Sequence, residues 1–419
     1  MTVGSSFPDV SRFGVATAGA ELGRVVTRRQ QSLFASDVLA NDRLIRDRIA
    51  GKRILVVGGG GTIGSSTTRL LCRYQPRAVC IVDISENYLV ELVRTLRGQP
   101  EGLGDVELQT FAIDYGSSIM ARMLSNVTPF DVVLNFAALK HVRSEKDVYS
   151  LLQMLNTNVV AHVRFKETLQ RYGHGAAYFA VSTDKAANPS SLMGASKRLM
   201  ENVAFDVASD KAETTTSTRF ANVAFSNGSL LQGMLHRLAK GQPIAAPRDT
   251  KRYFVTEEES GELCLIAALL GPDQHIVFPR LDAEKELQPL QEIAERILGA
   301  MGLAAELFDD EEEARRSVSR LAPLGRWPLL LTPLDTSGEK PFEEFVGFDE
   351  TEIALSMASV SAVRHRPSTM EHGALIKNLE ALLRVSEGPL DKDAIVQAIG
   401  AVLPTFSHRE SGRSLDDRL

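Results

Sequence analysis

The sequence predicts an α/β protein built on a doubly wound parallel sheet, with a smaller C-terminal domain. From residue 51 onward, apolar runs alternate with segments whose apolar residues recur at helical spacing. The runs contain few polar residues, which is typical of parallel strands covered on both faces by helices. The first run leads directly into a glycine-rich turn, as it does in many doubly wound folds. These observations favour a parallel sheet over residues 51–225.

The composition excludes several classes of protein. The chain has 419 residues, and its 44% hydrophobic and 24% charged residues argue against a mainly disordered protein. A net charge of −6 favours neither nucleic acid nor an anionic membrane as the main partner. Three cysteines without a CxxC pair indicate no disulfide framework, and no metal site is expected. We find no signal peptide and no apolar stretch near the ~20 residues of a membrane span, so we expect a soluble, cytoplasmic protein.

The chain divides into four predicted segments. Residues 1–50 form a partly helical N-terminal extension, and residues 51–225 form the doubly wound domain. Residues 226–346 have less regular periodicity, which indicates a smaller domain on the carboxyl edge of the sheet, where such folds bind ligands. Residues 347–419 are predicted to be a helical C-terminal extension with a polar tail. Within the second segment we predict strands at 53–58, 79–83, 106–114, 132–138, 178–182 and 216–221.

The glycine-rich turn predicts a binding site for a dinucleotide. Gly58, Gly61 and Gly64 have the spacing GxxGxxG, and a helix begins around Thr62 and Ile63. The glycines permit a tight turn and allow the backbone to approach a pyrophosphate at the positive N-terminus of the helix. We therefore expect a Rossmann-like domain in which all five residues bind the cofactor.

Residues at the ends of the next strands favour NAD over NADP. Asp83 ends the second predicted strand, where a carboxylate accepts from both ribose hydroxyls and repels a 2′-phosphate. Asp114 follows the third strand, either to receive the adenine amino group or as a simple turn residue. Ala137 and Ala138 end the fourth strand with small side chains that leave room for the cofactor. The alternative is a glycine turn without a ligand, in which Asp83 only caps a helix.

The fifth strand ends in residues that can carry out proton transfer. Thr183, Asp184 and Lys185 lie at its carboxyl end, and an Asp–Lys pair supplies an acid and a base side by side. A surface ion pair is the alternative interpretation. Met193 and Lys197 are four residues apart and share one face of the following helix. Lys197 is predicted to point toward the nicotinamide ribose.

Six stretches in this order along the chain carry a family pattern: GGGGTIGSS (58–66), AALKHV (137–142), STDKAANPSSLMGASKRLME (182–201), TRFANV (218–223), KRYFVT (251–256) and TSGEKPFEEF (336–345). With them the chain resembles the extended short-chain dehydrogenase/reductases and, among them, the UDP-N-acetylglucosamine 4,6-dehydratases of bacterial polysaccharide biosynthesis. It departs from the usual pattern at Met193, where most of the superfamily has tyrosine, and at Ala221, where glycine is more usual. Methionine at position 193 resembles the configuration-retaining branch more than the inverting one, here in a soluble form.

The resemblance implies a lyase that removes water from UDP-N-acetylglucosamine through an internal hydride cycle. NAD takes hydride from C4 of the sugar and returns it to C6, so no cofactor is consumed. Lys185 is implied as the base at C5, Asp184 as the acid at the C6 oxygen, and Thr183 as the residue that holds the C4 oxygen. Met193 cannot transfer a proton. Asp184 is therefore our candidate to accept the proton of the C4 hydroxyl.

The protonation state of Lys185 is left open by the sequence. A free lysine has a pKa of about 10.4, and the base must be neutral. Burial and a nearby cation such as Lys197 lower the lysine pKa, whereas the adjacent Asp184 raises it.

The resemblance also implies a site for the nucleotide sugar. Asn222 follows the sixth strand, Arg252 resembles the arginine that meets the diphosphate, and Glu339 resembles the acid that accepts from the nucleotide ribose. Lys140 and His141 are further candidates for substrate contacts. A surface salt bridge is the alternative for Arg252, and a packed or solvent-facing side chain is the alternative for His141. A homo-oligomer paired through helices of the Rossmann domain is also implied.

Other functions of the same fold remain open at the sequence level. A C4 epimerase or a 4-keto reductase needs the tyrosine that Met193 replaces, and neither needs Lys185. A non-catalytic regulator that binds NAD has no reason to keep an Asp–Lys pair. The nucleotide base, UDP or GDP, and the stereochemistry at C5 are not legible in the sequence.

Overall fold

Strands and helices alternate along most of the chain in the computed structural model. The described residues are 15–100, 102–140, 145, 147–206, 214–334, 340–367, 372–384 and 391–408. The strands are β1 Arg53–Val57, β2 Ala78–Asp83, β3 Glu107–Ala112, β4 Val132–Asn135, β5 Ala177–Val181, β6 Thr214–Thr218, β7 Asn222–Val223, β8 Ile244–Pro247, β9 Lys251–Arg252, β10 Phe254–Val255, β11 His275–Pro279, β12 Gln288–Pro289, β13 Ala304–Phe308, β14 Arg326–Thr332, β15 Glu352–Ala354 and β16 Val360–Arg364.

The helices follow the same alternation. The α-helices are α1 Val15–Thr27, α2 Ala35–Ala40, α3 Asp42–Ile49, α4 Thr62–Arg73, α5 Glu86–Arg97, α6 Ser118–Asn126, α7 Val148–Leu155, α8 Ala161–Tyr172, α9 Leu192–Asp206, α10 Leu230–Ala239, α11 Glu257–Leu270, α12 Ala283–Glu286, α13 Leu290–Ala300, α14 Glu311–Leu321, α15 His372–Leu383 and α16 Lys392–Val402. None of the helices in these described ranges is long and apolar enough to cross a membrane.

The main sheet has the order β15-β16-β11-β6-β5-β4-β1-β2-β3 within the described part of the chain. Its strands from β11 to β3 are parallel, and β16 and β15 extend it as antiparallel strands. The winding direction reverses between β1 and β4, which is the point where doubly wound sheets bind ligands at the carboxyl ends of the strands. This arrangement confirms the predicted fold class.

Helices bury both faces of the sheet. Ile54 and Val56 of β1 pack in a cluster with α4, α5 and α11 on one face. Leu55 and Val57 pack with α6, α8 and α9 on the other face. The alternation follows because successive side chains of a strand point to opposite faces. All three cysteines lie buried and free: Cys72, Cys80 and Cys264.

Two strands are less apolar than the sequence pattern predicts. β3 is the edge strand beside β2, and most of its residues are partly or fully exposed. β6 has the sequence TTTST and is nevertheless buried. The hydroxyl of Ser217 donates to the Ala180 carbonyl at 2.8 Å, and that of Thr218 donates to the Val277 carbonyl at 2.8 Å. These hydrogen bonds offset the cost of burying polar groups in the middle of the sheet.

The main sheet extends beyond the predicted boundary at residue 225. β11 comes from the 226–346 segment and pairs in parallel with β6, and β15 and β16 come from the 347–419 segment. A separate sheet of the order β13-β14-β8 packs with α10, α13 and α1 around the buried Trp327. The sheet therefore draws its strands from three of the four predicted segments. The sequence does not predict this arrangement, because local periodicity does not show which distant strands pair with each other.

Candidate active site

The glycine turn after β1 leaves space where a ligand can approach. A Cβ on Gly58, which has φ +72°, would lie 2.7 Å from the Ala137 nitrogen, and one on Gly64 would collide with the Gly58 carbonyl. A Cβ on Gly61 would lie 3.6 Å from its nearest neighbour, the Gly58 oxygen. Packing within the protein therefore requires glycine at positions 58 and 64 but not at 61. Glycine at position 61 is suited to the close approach of a pyrophosphate.

The carboxylate of Asp83 is fixed against this turn. It accepts hydrogen bonds from the Gly60 nitrogen at 2.9 Å and from the Ser85 nitrogen at 2.9 Å. Each carboxylate oxygen retains a lone pair that can accept from a hydroxyl. Asp114 accepts from the Gly116 nitrogen at 2.9 Å, as expected of a turn residue. The residues around the turn fit a dinucleotide whose ribose lies at the end of β2.

The carboxyl edge of the sheet beside the glycine turn is also bordered by four other predicted cofactor contacts: Thr62, Ile63, Ala137 and Ala138. Thr62 begins α4, and its hydroxyl accepts from the Asn227 nitrogen at 3.1 Å. Ile63, Ala137 and Ala138 are partly exposed beside the turn. Their role in cofactor binding stays a prediction.

Thr183, Asp184 and Lys185 form a compact cluster just beyond β5. The Thr183 hydroxyl donates to Asp184 Oδ1 at 2.8 Å, and the Lys185 backbone nitrogen donates to the same oxygen at 2.9 Å. Lys185 Nζ lies 3.1 Å from Asp184 Oδ1. The 3₁₀ turn Asp184–Ala186 brings these groups together, with Thr183 as its N-cap.

A second carboxylate, which the sequence analysis does not single out, completes this cluster. Glu343 Oε1 lies 3.7 Å from Lys185 Nζ, and the Glu343 side chain is only 5% exposed. Glu343 belongs to the matching stretch 336–345, four residues beyond Glu339. Its position in that stretch is the one feature of the sequence that points to Glu343 as a residue of the site.

The two carboxylates decide the charge of Lys185. Burial and Arg252 lower the pKa of Lys185, but Asp184 and Glu343 raise it, and the net shift is upward. Burial and Asp184 raise the pKa of Glu343, although Lys185, Arg252 and Lys340 oppose this. The free protein therefore holds Lys185 as an ammonium ion.

Met193 and Lys197 lie on α9 behind this cluster. Met193 is buried in an apolar cluster with residues of α7, α15 and α16, and its nitrogen donates to Glu145 at 2.8 Å. Lys197 Nζ donates to the Val181 carbonyl at 2.7 Å. Burial lowers the pKa of Lys197 to about 7, against the opposing effect of Glu201. An approach of Lys197 to a nicotinamide ribose stays a prediction.

Arg252 faces the cluster from β9. Its Nη1 donates to the carbonyls of Lys251 at 2.8 Å and Pro341 at 3.1 Å, and it forms no ion pair within the described residues. Asn222 lies on β7, next to β10, and its side chain donates to the Tyr253 carbonyl at 3.4 Å.

The remaining predicted substrate contacts are only partly described. Lys140 is exposed after β4. His141 and Glu339 lie outside the described residues.

The fold and the glycine turn define the class of protein: an extended short-chain dehydrogenase/reductase, from the superfamily that includes nucleotide-sugar dehydratases and epimerases. Within that class, the chain belongs to the polysaccharide biosynthesis protein family, whose model matches residues 54–318.

Known proteins are similar to this chain over part of their length. The capsular polysaccharide biosynthesis protein CapD of Staphylococcus aureus is 28% identical over 264 residues, which cover 59% of this chain and 42% of that protein. The inverting UDP-N-acetylglucosamine 4,6-dehydratase of Campylobacter jejuni is 26% identical over 223 residues, which cover 51% of this chain and 63% of that protein. The chain thus spans less than two thirds of the length of either relative.

Solved structures share the fold. Pen from Bacillus thuringiensis superposes with a TM-score of 0.60 at 20% identity, over 75% of this chain and 88% of that one. WbmF from Bordetella bronchiseptica, in complex with NAD+ and UDP, superposes with a TM-score of 0.50 at 17% identity, over 65% of this chain and 88% of that one.

Proposed function

We propose that this protein is a UDP-N-acetylglucosamine 4,6-dehydratase that works by an internal hydride cycle. The observation that carries the proposal is the cluster after β5, in which the Lys185 ammonium lies 3.1 Å from Asp184 and 3.7 Å from Glu343. An epimerase or reductase acts at C4 and has no proton to remove from C5. A lysine base with an acid beside it suits a reaction that breaks both a C5–H bond and a C6–O bond. The activity of the Campylobacter relative supports this reaction.

NAD is the cofactor of the proposed reaction. The glycine at position 61, where packing within the protein would tolerate a Cβ, and the fixed carboxylate of Asp83 support a dinucleotide with an unphosphorylated ribose. Bound NAD would supply the acceptor and donor of the hydride that moves from C4 to C6. Every other task falls to the protein's side chains.

Each member of the cluster has a separate task. Thr183 donates to the C4 oxygen and orients it. Asp184 accepts the proton of the C4 hydroxyl and delivers it to the C6 oxygen, which leaves as water. Lys185, as a neutral amine, takes the C5 proton, and after its ammonium hydrogens have exchanged with solvent it delivers one of them to C5 at the end of the cycle. Because the C4 ketone acidifies the C5 proton, a lysine amine is a strong enough base for this step.

Arg252 and Asn222 are the proposed contacts of the nucleotide sugar. Arg252 has a planar, permanently charged side chain that binds two phosphate oxygens. Its influence on the pKa of both Lys185 and Glu343 supports a position beside the sugar. Glu339 is proposed for the nucleotide ribose by resemblance alone.

A proton NMR time course tests the reaction. The protein is incubated with UDP-N-acetylglucosamine in deuterated water. A new C6 methyl signal with deuterium at C5 is expected, and the configuration at C5 identifies the retaining or inverting branch. Formation of UDP-N-acetylgalactosamine instead identifies a C4 epimerase and overturns the proposal. No turnover of UDP- or GDP-sugars, with NAD still bound, favours a non-catalytic protein.

Matched variants assign the base. Lys185→Ala is expected to abolish both the methyl signal and deuterium entry at C5. Lys240→Ala, which removes an exposed lysine at the end of α10, is the control and retains full activity. Normal turnover in the Lys185 variant would refute its role as the base.

A further inference from the structure

The C-terminal part of the chain brings a buried carboxylate to the catalytic lysine. Glu343 Oε1 lies 3.7 Å from Lys185 Nζ, and its side chain is 5% exposed. Burying a carboxylate is costly unless it is paired and hydrogen-bonded. Glu343 is thus a second carboxylate beside a lysine that already pairs with Asp184.

The segment that carries Glu343 is anchored to the catalytic loop. Asn188 Nδ2 donates to Glu344 at 2.9 Å, and its Oδ1 accepts from the Phe348 nitrogen at 3.0 Å. Lys340 Nζ donates to the Asn188 carbonyl. Because Asn188 stands three residues after Lys185, one loop fixes both side chains. The proximity of Glu343 and Lys185 is therefore a consequence of the packing.

Asp184 alone is enough to balance the charge of Lys185. Its Oδ1 accepts from the Thr183 hydroxyl, the Lys185 backbone nitrogen and Lys185 Nζ, at 2.8, 2.9 and 3.1 Å. These three donors all occupy one oxygen of Asp184. Within the described residues Glu343 accepts no such set of hydrogen bonds, so its Oε1, 3.7 Å from Lys185 Nζ, is available to take the lysine proton.

We propose that Glu343 takes the proton of the Lys185 ammonium and so prepares the amine that removes the C5 proton. Glu343 acts through Lys185 and is a positioning residue. This inference rests on the proposed function, because only a reaction at C5 requires Lys185 to become neutral.

The proposed step moves one proton from Lys185 to Glu343, within the pair, and transfers no electrons. An N–H bond of Lys185 breaks and an O–H bond forms on Glu343, which leaves a neutral amine and a neutral carboxylic acid. A shift of about 1 Å brings the two atoms within hydrogen-bond distance. The amine takes the C5 proton, exchanges its hydrogens with solvent and later delivers one hydrogen to C5, and Glu343 then returns its own proton to Lys185.

The pH dependence of kcat tests this exchange. The charged groups that face Glu343 are Asp184, Lys185, Arg252 and Lys340. In the wild type the proton moves within the pair, so kcat is expected to be independent of pH near neutrality. In Glu343→Gln the proton of Lys185 must go to solvent. We expect kcat to fall about 100-fold and to rise with pH by about tenfold per unit below the pKa of Lys185, while KM is unchanged.

Two further variants separate this role from a structural one. Glu343→Asp keeps a carboxylate and is expected to restore the flat pH profile. Glu352→Gln changes an exposed glutamate on β15 and is the matched control. A Glu343→Gln enzyme with a flat profile, whatever its kcat, overturns the proposal.

A labelling experiment distinguishes this inference from the proposed function. Trace acetylation of Lys185 at a series of pH values, quantified by peptide mass spectrometry, reports the lysine pKa without turnover. Loss of the Glu343 charge is expected to lower the pKa of Lys185 and to speed its labelling. An unchanged labelling curve overturns the coupling. A shifted curve in a protein that makes no keto sugar overturns the proposed function and leaves the coupling of the two side chains intact.

Discussion

The guanidinium group of Arg219 forms a buried, bidentate pair with the carboxylate of Glu201. Arg219 Nε and Nη2 donate to the two oxygens of Glu201 at 2.9 and 2.8 Å, and neither side chain is more than 1% exposed. Arg219 follows β6, whereas Glu201 lies on α9. Glu350, in the segment 347–419, accepts a hydrogen bond from the same guanidinium at 2.8 Å and so connects that segment to the pair. Glu201 also accepts from the hydroxyl of Ser182 at 2.6 Å, so this network links the end of β5, just before Lys185, to the segment that carries Glu350.

Arg219→Met is expected to destabilise the protein by about 3–5 kcal/mol, because it removes one of the two arginines that pair with the buried carboxylates of Glu201 and Glu350. Urea unfolding measures the change in the free energy of unfolding. Arg316→Met is the matched control, since Arg316 pairs with Glu312 on an exposed helix face, where both side chains are at least 71% exposed. A pair of that kind contributes only about 0.3–0.5 kcal/mol. Equal losses in the two variants would contradict a stabilising role for the buried network.

Stability is expected to fall in acid as Glu350 takes up a proton. Its pKa is lowered from 4.5 to about 2, because hydrogen bonds and charge from Arg219 and Arg198 outweigh the burial that raises it. A carboxyl whose folded pKa is depressed stabilises the fold above its unfolded pKa, and this stabilisation is lost as pH falls from about 4.5 to 2. Urea unfolding across this range measures the loss. Glu350→Gln is expected to flatten that part of the curve, and an unchanged acid dependence in the variant would contradict the assignment.

The sequence predicts those parts of the site that are contiguous in the chain. Three parts of the site can be recognised from neighbouring residues in the sequence, because each has a characteristic local pattern and a clear chemical role. They are the glycine turn, Asp83 and the segment Thr183–Lys185. Glu343 meets Lys185 only through the packing of a segment more than 150 residues away. The charge of Lys185 is likewise a balance of burial and three neighbours, and two of these neighbours are distant in sequence.

Substitutions at two glycines should separate cofactor binding from folding. Gly61→Ala is expected to weaken NAD binding while the free energy of unfolding stays close to that of the wild type, because the nearest atom of the described residues to the added Cβ is the Gly58 oxygen at 3.6 Å. Gly64→Ala is expected to destabilise the protein, because its Cβ collides with the Gly58 carbonyl. Calorimetric titration with NAD and urea unfolding measure the two effects. Unchanged NAD affinity in Gly61→Ala would remove this residue from the cofactor site.

Arg252→Ala is expected to weaken binding of UDP and to leave NAD binding unchanged. Loss of a charge-assisted hydrogen bond costs about 1.5–3 kcal/mol, or about 10- to 100-fold in Kd. Arg248→Ala is the control, since Arg248 is an exposed arginine that pairs with Asp309. Calorimetric titration with UDP and with NAD measures both affinities.

Because Arg252 lowers the pKa of Lys185, its removal should also slow acetylation of Lys185 at a fixed pH. A UDP affinity equal to that of the wild type would exclude Arg252 from the diphosphate site, and slower acetylation would then identify it as a residue that acts only on the charge of the cluster.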